Sequence, residues 1–287
     1  MDGAPVTYKL TVSYDGTDFV GWQKQEPPDP DGGVDESGAR RRVALRTVQG
    51  VLEQAVRVAV RESVVVTGAS RTDSGVHAFG QVAAFTSAPD PDRGVGWPPD
   101  RGTDTLVRAI NANLPRDVLV RRAEVVGEGF SPIADALEKA YAYTIASGPV
   151  RPVFGRRFVF HTWHGLDPAS MHAGAERLVG EHDFASFAQI NHGRTTTVRT
   201  ITACAVDPIE PPEGEVGDGT PWIRIRVSGS GFLYHMVRIL SGTLMEVGRG
   251  KIAPSEIDAI IAAADRRANP GPTLPPQGLR LEWIRYR

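Results

Sequence analysis

Cysteine is almost absent from this sequence, in which Cys204 is the only one among 287 residues. An intrachain disulfide is therefore excluded, and a reducing compartment such as the cytoplasm is favoured. No stretch approaches the roughly 18 consecutive apolar residues of a membrane-spanning helix. The opening sequence MDGAPVTYKL has neither the basic region nor the apolar segment of a secretory signal. We expect a cytoplasmic protein without membrane contact; an organellar location is also compatible with these features.

An excess of charge of one sign is also missing, since 32 Lys and Arg stand against 34 Asp and Glu. Nucleic-acid-binding proteins are often strongly basic, so the net charge of −2 counts against one. The charges are nevertheless segregated. Acidic residues concentrate in EPPDPDGGVDESG and DPIEPPEGEVGDG, and basic residues in ARRRVALR, RPVFGRR and GLRLEWIRYR. Folding could gather the basic segments into one positive surface or leave them scattered in solvent, and composition alone leaves both open.

Hydrophobic periodicity predicts strands and helices in the same order in both halves of the chain. In the first half, YKLTVSYDG and DVLVRRAEVV alternate as strands, and TVQGVLEQAVRVAVRES has helical spacing. In the second half, AYAYTIAS is a predicted strand, TVRTITACAVD and WIRIRVSGSG a predicted hairpin, and a helix is predicted from Phe232 to Val247. This repetition predicts an α+β protein with two duplicated halves, residues 1–128 and 129–287.

Two such halves, each ferredoxin-like or RRM-like, are expected to join into a mostly antiparallel sheet. Helices would cover one face of that sheet, and a central cleft between the halves would be a natural place for a site. Residues 26–43 and about 87–103 are rich in Pro, Gly and Asp. We predict that they are mobile insertions.

The stretch VVVTGASRTDSGVHAFGQVAAF, residues 64–85, predicts a strand from its valine run, then a polar loop and a second strand. Asp73, followed by Ser and Gly, is ordinary turn chemistry. Arg71, His77 and Gln81 add polar groups that a plain turn does not need. The residues therefore leave two interpretations open: a structural turn, or a loop that presents a carboxylate for chemistry.

The segment RTDSGVHAFGQV resembles the signature of the TruA family of tRNA pseudouridine synthases. Six further segments are similar to that family in the same order: YDGTDFVGWQKQ, INANLP with DVLV, LEKAYAYTI, LVGEHDFASF, SGSGFLYHMVRILSGTLMEVG and GLRLEWIRY. The resemblance covers the whole chain apart from the two insertions. It implies an isomerase that converts uridine to pseudouridine at positions 38, 39 and 40 of the tRNA anticodon arm.

The resemblance also implies three catalytic residues. Asp73 corresponds to the family's essential aspartate, Tyr141 to its active-site tyrosine, and Arg238 to the basic residue that pairs with the aspartate. The reaction breaks the C1′–N1 bond of uridine, turns the base and rejoins it through C5. An ionised carboxylate could add to the sugar or base, or could take a proton, and the sequence does not choose between these routes. No cofactor or metal is required, because the reaction is an isomerisation.

RNA contacts are expected around the aspartate and on basic segments, because the reacting base must be everted into the site. The predicted RNA-binding residues are Tyr141, Arg71, Thr72, His77, Gln81, Arg194 and Arg199. Since one α+β body is small beside a tRNA, we also expect a homodimer.

Two other functions remain to be weighed. Residues 131–133 depart from the family pattern in the segment before the tyrosine, which would fit an RNA-binding homologue without isomerase activity. His161 and His164 have ligand-like spacing, which would fit a metal-dependent hydrolase. On a strand, however, these two side chains would face opposite sides, and no carboxylate joins them in a recognisable pattern.

Overall fold

The structure is a computed structural model that describes residues 4–34, 38–190, 195–212, 215 and 222–287. The chain forms two compact units, Met1–Asp135 and Ala136–Arg287. Each unit combines helices with mainly antiparallel strands, so the predicted α+β class is confirmed. Within the described ranges, no helix is both long and apolar enough to cross a membrane.

The N-terminal unit alternates strands with two helices. Its elements are β1 (Val6–Tyr14), α1 (Val48–Val60), β2 (Thr67–Gly68), β3 (His77–Ser87), α2 (Thr103–Asn111) and β4 (Val118–Val126). The strands lie in the order β4-β1-β3, and β2 pairs with β3; every pairing is antiparallel.

Strand β1 shows the alternation of a strand that has one buried face. Tyr8, Leu10 and Val12 are fully buried, whereas the residues between them are partly exposed. The Tyr8 ring stacks on Phe85 of β3 with 5.4 Å between centroids. Burial, aided by the charge of Asp100, raises the pKa of Tyr8 to about 12. This face of β1 is therefore part of the core of the unit.

Helix α1 forms as its sequence predicts. Its apolar residues Val48, Leu52 and Val56 are fully buried. The hydroxyl of Thr47 accepts a hydrogen bond from the amide of Gly50 at 3.3 Å, as expected of an N-cap.

The C-terminal unit has more strands. Its elements are β5 (Glu138–Ser147), β6 (Phe160–Thr162), α3 (Pro168–Glu176), β7 (Gly180–Asp183), β8 (Val198–Ile209), β9 (Trp222–Gly229), α4 (Met236–Gly248), α5 (Glu256–Ala263) and β10 (Leu279–Arg285). The order is β10-β5-β9-β8-β7 with antiparallel pairing, and β6 adds to β5 in parallel. The predicted β8–β9 hairpin is confirmed.

Two predictions are corrected. Helix α4 begins at Met236 rather than at Phe232, because His235 has the left-handed backbone conformation (φ 60°), which a helix cannot continue through. The valine run does not form a strand: β2 is confined to Thr67–Gly68. Within the predicted insertion 87–103, Trp97 is fully buried and its carbonyl accepts from the Tyr8 hydroxyl.

The backbone of the valine run binds side chains of α1 instead of a neighbouring strand. The Val66 amide donates to Glu53 at 3.0 Å, and the Val66 carbonyl accepts from Gln49 at 2.8 Å. The Val64 carbonyl accepts from Arg57 at 2.8 Å. Because these groups are satisfied by side chains, no strand partner is needed.

Glu53 is the centre of this arrangement. Its side chain is 3% exposed and lies 2.8 Å from Lys24 and 2.9 Å from Arg57. Burial raises the pKa of the Glu53 carboxyl. The hydrogen bonds from Lys24 and the Val66 amide, with the charges of Lys24 and Arg57, outweigh burial and hold the pKa below the ordinary glutamate value.

We predict that Glu53→Gln lowers the free energy of unfolding at pH 7 by about 2 kcal/mol, because a neutral amide loses the charge-assisted bonds to both cations. The native pKa lies below the unfolded one. The contribution is therefore fully present above roughly pH 4.3 and is lost as the pH falls through the native pKa.

Urea unfolding between pH 7 and pH 3 measures this difference. Glu128→Gln is the matched control, because Glu128 is exposed and its substitution should change little. A Glu53→Gln effect that stayed constant over this pH range would contradict the assignment.

Candidate active site

Asp73 lies in the loop that connects β2 to β3 in the N-terminal unit. Gln81 of β3 is fully buried and fixes the start of this loop. Its amide nitrogen donates to the Ser70 carbonyl at 2.6 Å, and its oxygen accepts from the Ser70 amide at 3.2 Å. A single side chain thus occupies both backbone groups of Ser70, which ties the loop to the strand that follows it.

The segment 15–24 packs its backbone directly on the loop. The amide of Trp22 donates to the Thr72 carbonyl at 3.0 Å, and the amide of Gly75 donates to the Phe19 carbonyl at 3.3 Å. A Cβ atom on Gly21, which has φ +94°, would come within 2.7 Å of the Thr72 oxygen. The approach therefore requires glycine at this position.

Asp73 itself occupies the first position of a tight turn. The Val76 amide donates to the Asp73 carbonyl at 3.1 Å, and Gly75 adopts φ 78°. The hydroxyl of Ser74 donates to the Phe19 carbonyl at 3.1 Å. The Asp73 side chain is half-buried. The turn thus fixes the backbone of Asp73 while the residue as a whole stays partly exposed.

Buried polar side chains support the loop from beneath. The hydroxyls of Tyr14 and Thr72 lie 2.7 Å apart, and the amide nitrogen of Gln81 lies 3.5 Å from the Tyr14 hydroxyl. Trp22, which is 1% exposed, packs its ring against Gly68, where an added Cβ would lie 2.2 Å from the indole. Trp22 therefore belongs to the packed interior, and its contacts also support the loop.

His77 is buried at the start of β3. Its Nδ1 accepts from the Gly16 amide at 3.0 Å and lies 3.2 Å from a carboxylate oxygen of Asp15. These two contacts imply different states of the ring, because a nitrogen that accepts from an amide carries no proton for an ion pair. The hydrogen bond from the Gly16 amide has the clearer donor, so we assign the neutral ring with Nδ1 as acceptor.

Arg71 differs from its neighbours, because its side chain is exposed. It forms no ion pair or hydrogen bond with any residue of the described ranges. A guanidinium in this position is accessible to an anion from solution.

Tyr141 and Arg238 belong to the C-terminal unit. Tyr141 lies on β5, where its register partners are Leu281 of β10 and Val227 of β9. It is 7% exposed, and its ring meets Phe232 edge-on with 5.1 Å between centroids. Phe232 precedes α4, so the late start of that helix leaves this ring in a loop that reaches the tyrosine.

Tyr143 lies two residues further along β5 and is fully buried. Its hydroxyl donates to the Pro275 carbonyl at 2.7 Å. Burial raises the pKa of Tyr143 well above the ordinary tyrosine value, although the nearby charge of Arg238 opposes the shift. Tyr143 therefore has a structural contact that accounts for its hydroxyl.

Arg238 is the third residue of α4 and is half-buried. Its Nε donates to the Leu274 carbonyl at 2.7 Å, and the Leu274 amide donates to the Arg238 carbonyl at 3.3 Å. Its neighbours in α4, Val237, Ile239 and Leu240, are buried.

The chain around residues 269–275 positions Arg238, and sequence reasoning missed it. A Cβ on Gly242 of α4 would lie 1.9 Å from the Pro272 carbonyl oxygen, so glycine allows this segment to lie against the helix. The buried side chain of Asn269 accepts from the Gly271 amide at 2.9 Å and lies 2.9 Å from the Thr243 hydroxyl. The repeated Gly and Pro of NPGPTLPPQG were the only local signal.

Comparison with known proteins decides the family. The family model described as tRNA pseudouridine synthase matches residues 175–287. The tRNA pseudouridine synthase A 2 of Clostridium perfringens is 37% identical over 97% of this chain and 98% of its own length. The tRNA pseudouridine synthase A of Geobacter sulfurreducens is 38% identical over 98% and 99%, and that of Solidesulfovibrio magneticus is 40% identical over 97% and 90%.

This chain belongs to the tRNA pseudouridine synthase family. Of the residues predicted for RNA contact, Arg71, Thr72, His77 and Gln81 share the Asp73 loop or its supporting strand. Arg199 lies at the start of β8 and donates to the carbonyls of Thr196 at 3.1 Å and Val198 at 2.5 Å. Arg194 falls outside the described residues.

The remaining predicted features of this pseudouridine synthase concern the segment 131–133 and the histidines. The amide of Ser131 donates to the Asp135 carboxylate at 2.8 Å, and Ile133 is exposed. His161 Nε2 lies 2.9 Å from the Gly148 carbonyl. In the part of the chain that the structure describes, no three His, Cys, Asp or Glu side chains form a group that could hold a metal ion.

Proposed function

We propose that this protein isomerises uridine to pseudouridine in tRNA, with Asp73 as the catalytic carboxylate. The observation that carries the proposal is the construction of the Asp73 loop. Backbone bonds to Trp22 and Phe19 and the Gln81 clamp fix the loop, while the Asp73 side chain stays half-buried. A plain turn between two strands does not need a buried glutamine, a buried histidine and close glycine packing.

The reaction makes a limited demand on the protein. The C1′–N1 bond breaks, the uracil turns, and a C1′–C5 bond forms. The hydrogen on C5 leaves as a proton while N1 gains one, so the atoms balance without a redox partner. A carboxylate that is ionised at neutral pH could add to the sugar or the base, or could accept the ribose proton, and all of these routes use Asp73.

We propose that Tyr141 contacts the uracil and assists removal of the C5 proton. A tyrosine ring can stack on a base, and its hydroxyl can relay a proton. The contact with Phe232 supports this role because it holds the ring in one orientation.

We propose that Arg238 is the basic residue that pairs with the catalytic carboxylate, as the resemblance implies. The bond from Nε to the Leu274 carbonyl supports a positioned guanidinium rather than a mobile surface arginine. For Gln81 and His77 we propose a positioning role, because both are buried and bonded to the backbone around the loop. Thr72, also buried, is placed in the same group, whereas Arg71 remains a proposed RNA contact.

The finer features remain predictions. The resemblance implies positions 38, 39 and 40 of the anticodon arm, a homodimer, and a cytoplasmic location. Mapping of modified uridines and the mass of the purified protein in solution would test the first two. The inactive RNA-binding homologue remains the alternative, since residues 131–133 depart from the family pattern.

Asp73→Asn should abolish isomerisation while unmodified tRNA still binds, because the amide can neither attack nor accept a proton. We expect tritium release from uridine C5 to fall at least about a thousandfold. Asp104→Asn on α2 is the control and should retain wild-type release. Wild-type protein that binds tRNA without releasing tritium would favour the inactive homologue. An active Asp73→Asn variant would refute the catalytic assignment.

Tyr141→Phe should lower kcat by about ten- to a hundredfold with little change in KM, because the ring is kept for stacking and only the hydroxyl is lost. Tyr143→Phe is the matched control on the same strand. It loses the bond to Pro275, so it should cost about 1 kcal/mol of stability but keep kcat. If both variants kept the wild-type kcat, a chemical role for the Tyr141 hydroxyl would be excluded.

Arg238→Gln should lower kcat/KM by about tenfold or more, because the neutral amide removes the positive charge that the proposal pairs with the catalytic carboxylate. Arg238→Lys keeps the charge and should restore part of the activity. Tritium release from uridine C5 over a range of tRNA concentrations measures kcat/KM. An unchanged kcat/KM in Arg238→Gln would show that Arg238 does not act on the carboxylate.

A further inference from the structure

Phe79 of β3 is an exposed aromatic side chain in an otherwise largely buried strand. Its side chain is 49% exposed, whereas its neighbours Ala78 and Gln81 are buried. Leu119 of β4 is 50% exposed. Single exposed apolar residues are common, so exposure alone assigns nothing. What distinguishes Phe79 is the set of contacts that hold it.

Arg121 of β4 lies over the Phe79 ring. The guanidinium carbon is 4.3 Å from the centroid of the ring, and Nη1 donates to the Phe79 carbonyl at 3.4 Å. The hydroxyl of Ser13 on β1 donates to the same carbonyl at 2.6 Å. Side chains from two neighbouring strands therefore fix the position of Phe79, and the ring and the guanidinium form one stack.

The stack lies on the face of β1 that is not buried. Tyr8, Leu10 and Val12 fill the core on one side, and alternation places Lys9 and Ser13 on the other. Ser13 is paired with Leu119, so the two exposed apolar residues belong to the same side of the sheet. We call this side of the N-terminal sheet the open face.

The open face carries three cationic side chains around the stack. Lys9 and Arg122 each lie 3.0 Å from Glu124, and Arg121 is the third. An exposed aromatic ring with arginine and lysine around it fits a nucleic acid, because bases stack on ring and guanidinium planes while cations meet phosphates. A basic or purely apolar partner would fit this surface less well, because neither offers negative charge to the cations.

We propose that the Phe79–Arg121 stack is a platform for an unpaired base of the RNA substrate, next to the uridine that reacts. The proposal rests on the proposed function for the identity of the RNA as tRNA. Phe79 is the third residue of β3, the strand that directly follows the Asp73 loop. The base on the platform is therefore a neighbour of the reacting uridine rather than that uridine itself.

The test measures the Kd of unmodified tRNA by filter binding, for variants that remove or keep the stack. Phe79→Ala should bind about tenfold more weakly, and Phe79→Tyr should bind like wild type, because it keeps an aromatic plane. Arg121→Gln should weaken binding and reduce the dependence of Kd on salt. KM should rise with Kd while kcat changes little, because the platform holds a flanking base and not the reacting one.

Arg101→Gln is the matched control. Arg101 lies 3.9 Å over the ring of Trp97, so this substitution also removes a cation–π contact, but Trp97 is fully buried and offers no surface to a base. The control should keep the wild-type Kd. Phe79→Leu keeps the apolar bulk of the side chain but loses the aromatic plane. Its thermal unfolding shows independently whether the fold tolerates substitution at this position.

The outcomes separate this inference from the proposed function. Wild-type protein that binds tRNA but releases no tritium defeats the isomerase, while the Kd series still decides the platform. Unchanged Kd in both Phe79→Ala and Arg121→Gln overturns the platform, whether or not the protein isomerises uridine. A Phe79→Ala variant that changes the mass of the protein in solution, with unchanged Kd for RNA, would instead assign the stack to contact between copies.

Discussion

Two stretches of backbone lie in direct contact beneath Asp73, and the shape of the candidate catalytic loop depends on that contact. Gly16 and Gly21 make it possible, because an added Cβ would lie 2.0 Å from the Val76 oxygen or 2.7 Å from the Thr72 oxygen. A Cβ at either position would meet backbone atoms, which cannot move aside as the end of a flexible side chain could. The hydrogen bonds from the Trp22 amide to the Thr72 carbonyl and from the Gly75 amide to the Phe19 carbonyl follow from this closeness. A loop held by backbone groups is stiff, and stiffness is what a reacting carboxylate needs.

The regular elements could largely be predicted from the sequence because their signals are local. Strand β1 alternates, and α1 has apolar residues at helical spacing behind a threonine cap. The prediction of a strand for the valine run failed for a non-local reason. Its apolar, β-branched residues favour a strand, but Glu53 and Gln49 from α1 satisfy the Val66 backbone and remove the need for a partner. A pattern of side-chain types does not reveal which side chains will reach the backbone.

In the candidate site, too, some residues have a local signal in the sequence and others depend on distant contacts. Asp73 stands out in the sequence because it sits in a specific motif, and Arg238 because it lies in another of the segments that resemble the family. The functions of Gln81 and His77 as buried supports depend on partners elsewhere in the chain, at Ser70 and Gly16. The chain near Asn269 gave no functional signal, since its importance arises from the close approach to Gly242. Polar residues in a motif thus indicate where a site is more reliably than what each one does.

Tyr141 and Tyr143 illustrate how identical residues on one strand face can differ in chemistry. The bond to Pro275 accounts for the Tyr143 hydroxyl, and burial raises the pKa of that hydroxyl, which makes it a poor acid–base group near neutral pH. The contact of Tyr141 with Phe232 constrains the orientation of its ring. Arg238 is fixed to Leu274 through Nε, one of five N–H donors. This hydrogen bond orients the planar guanidinium, so the position of its positive charge is defined.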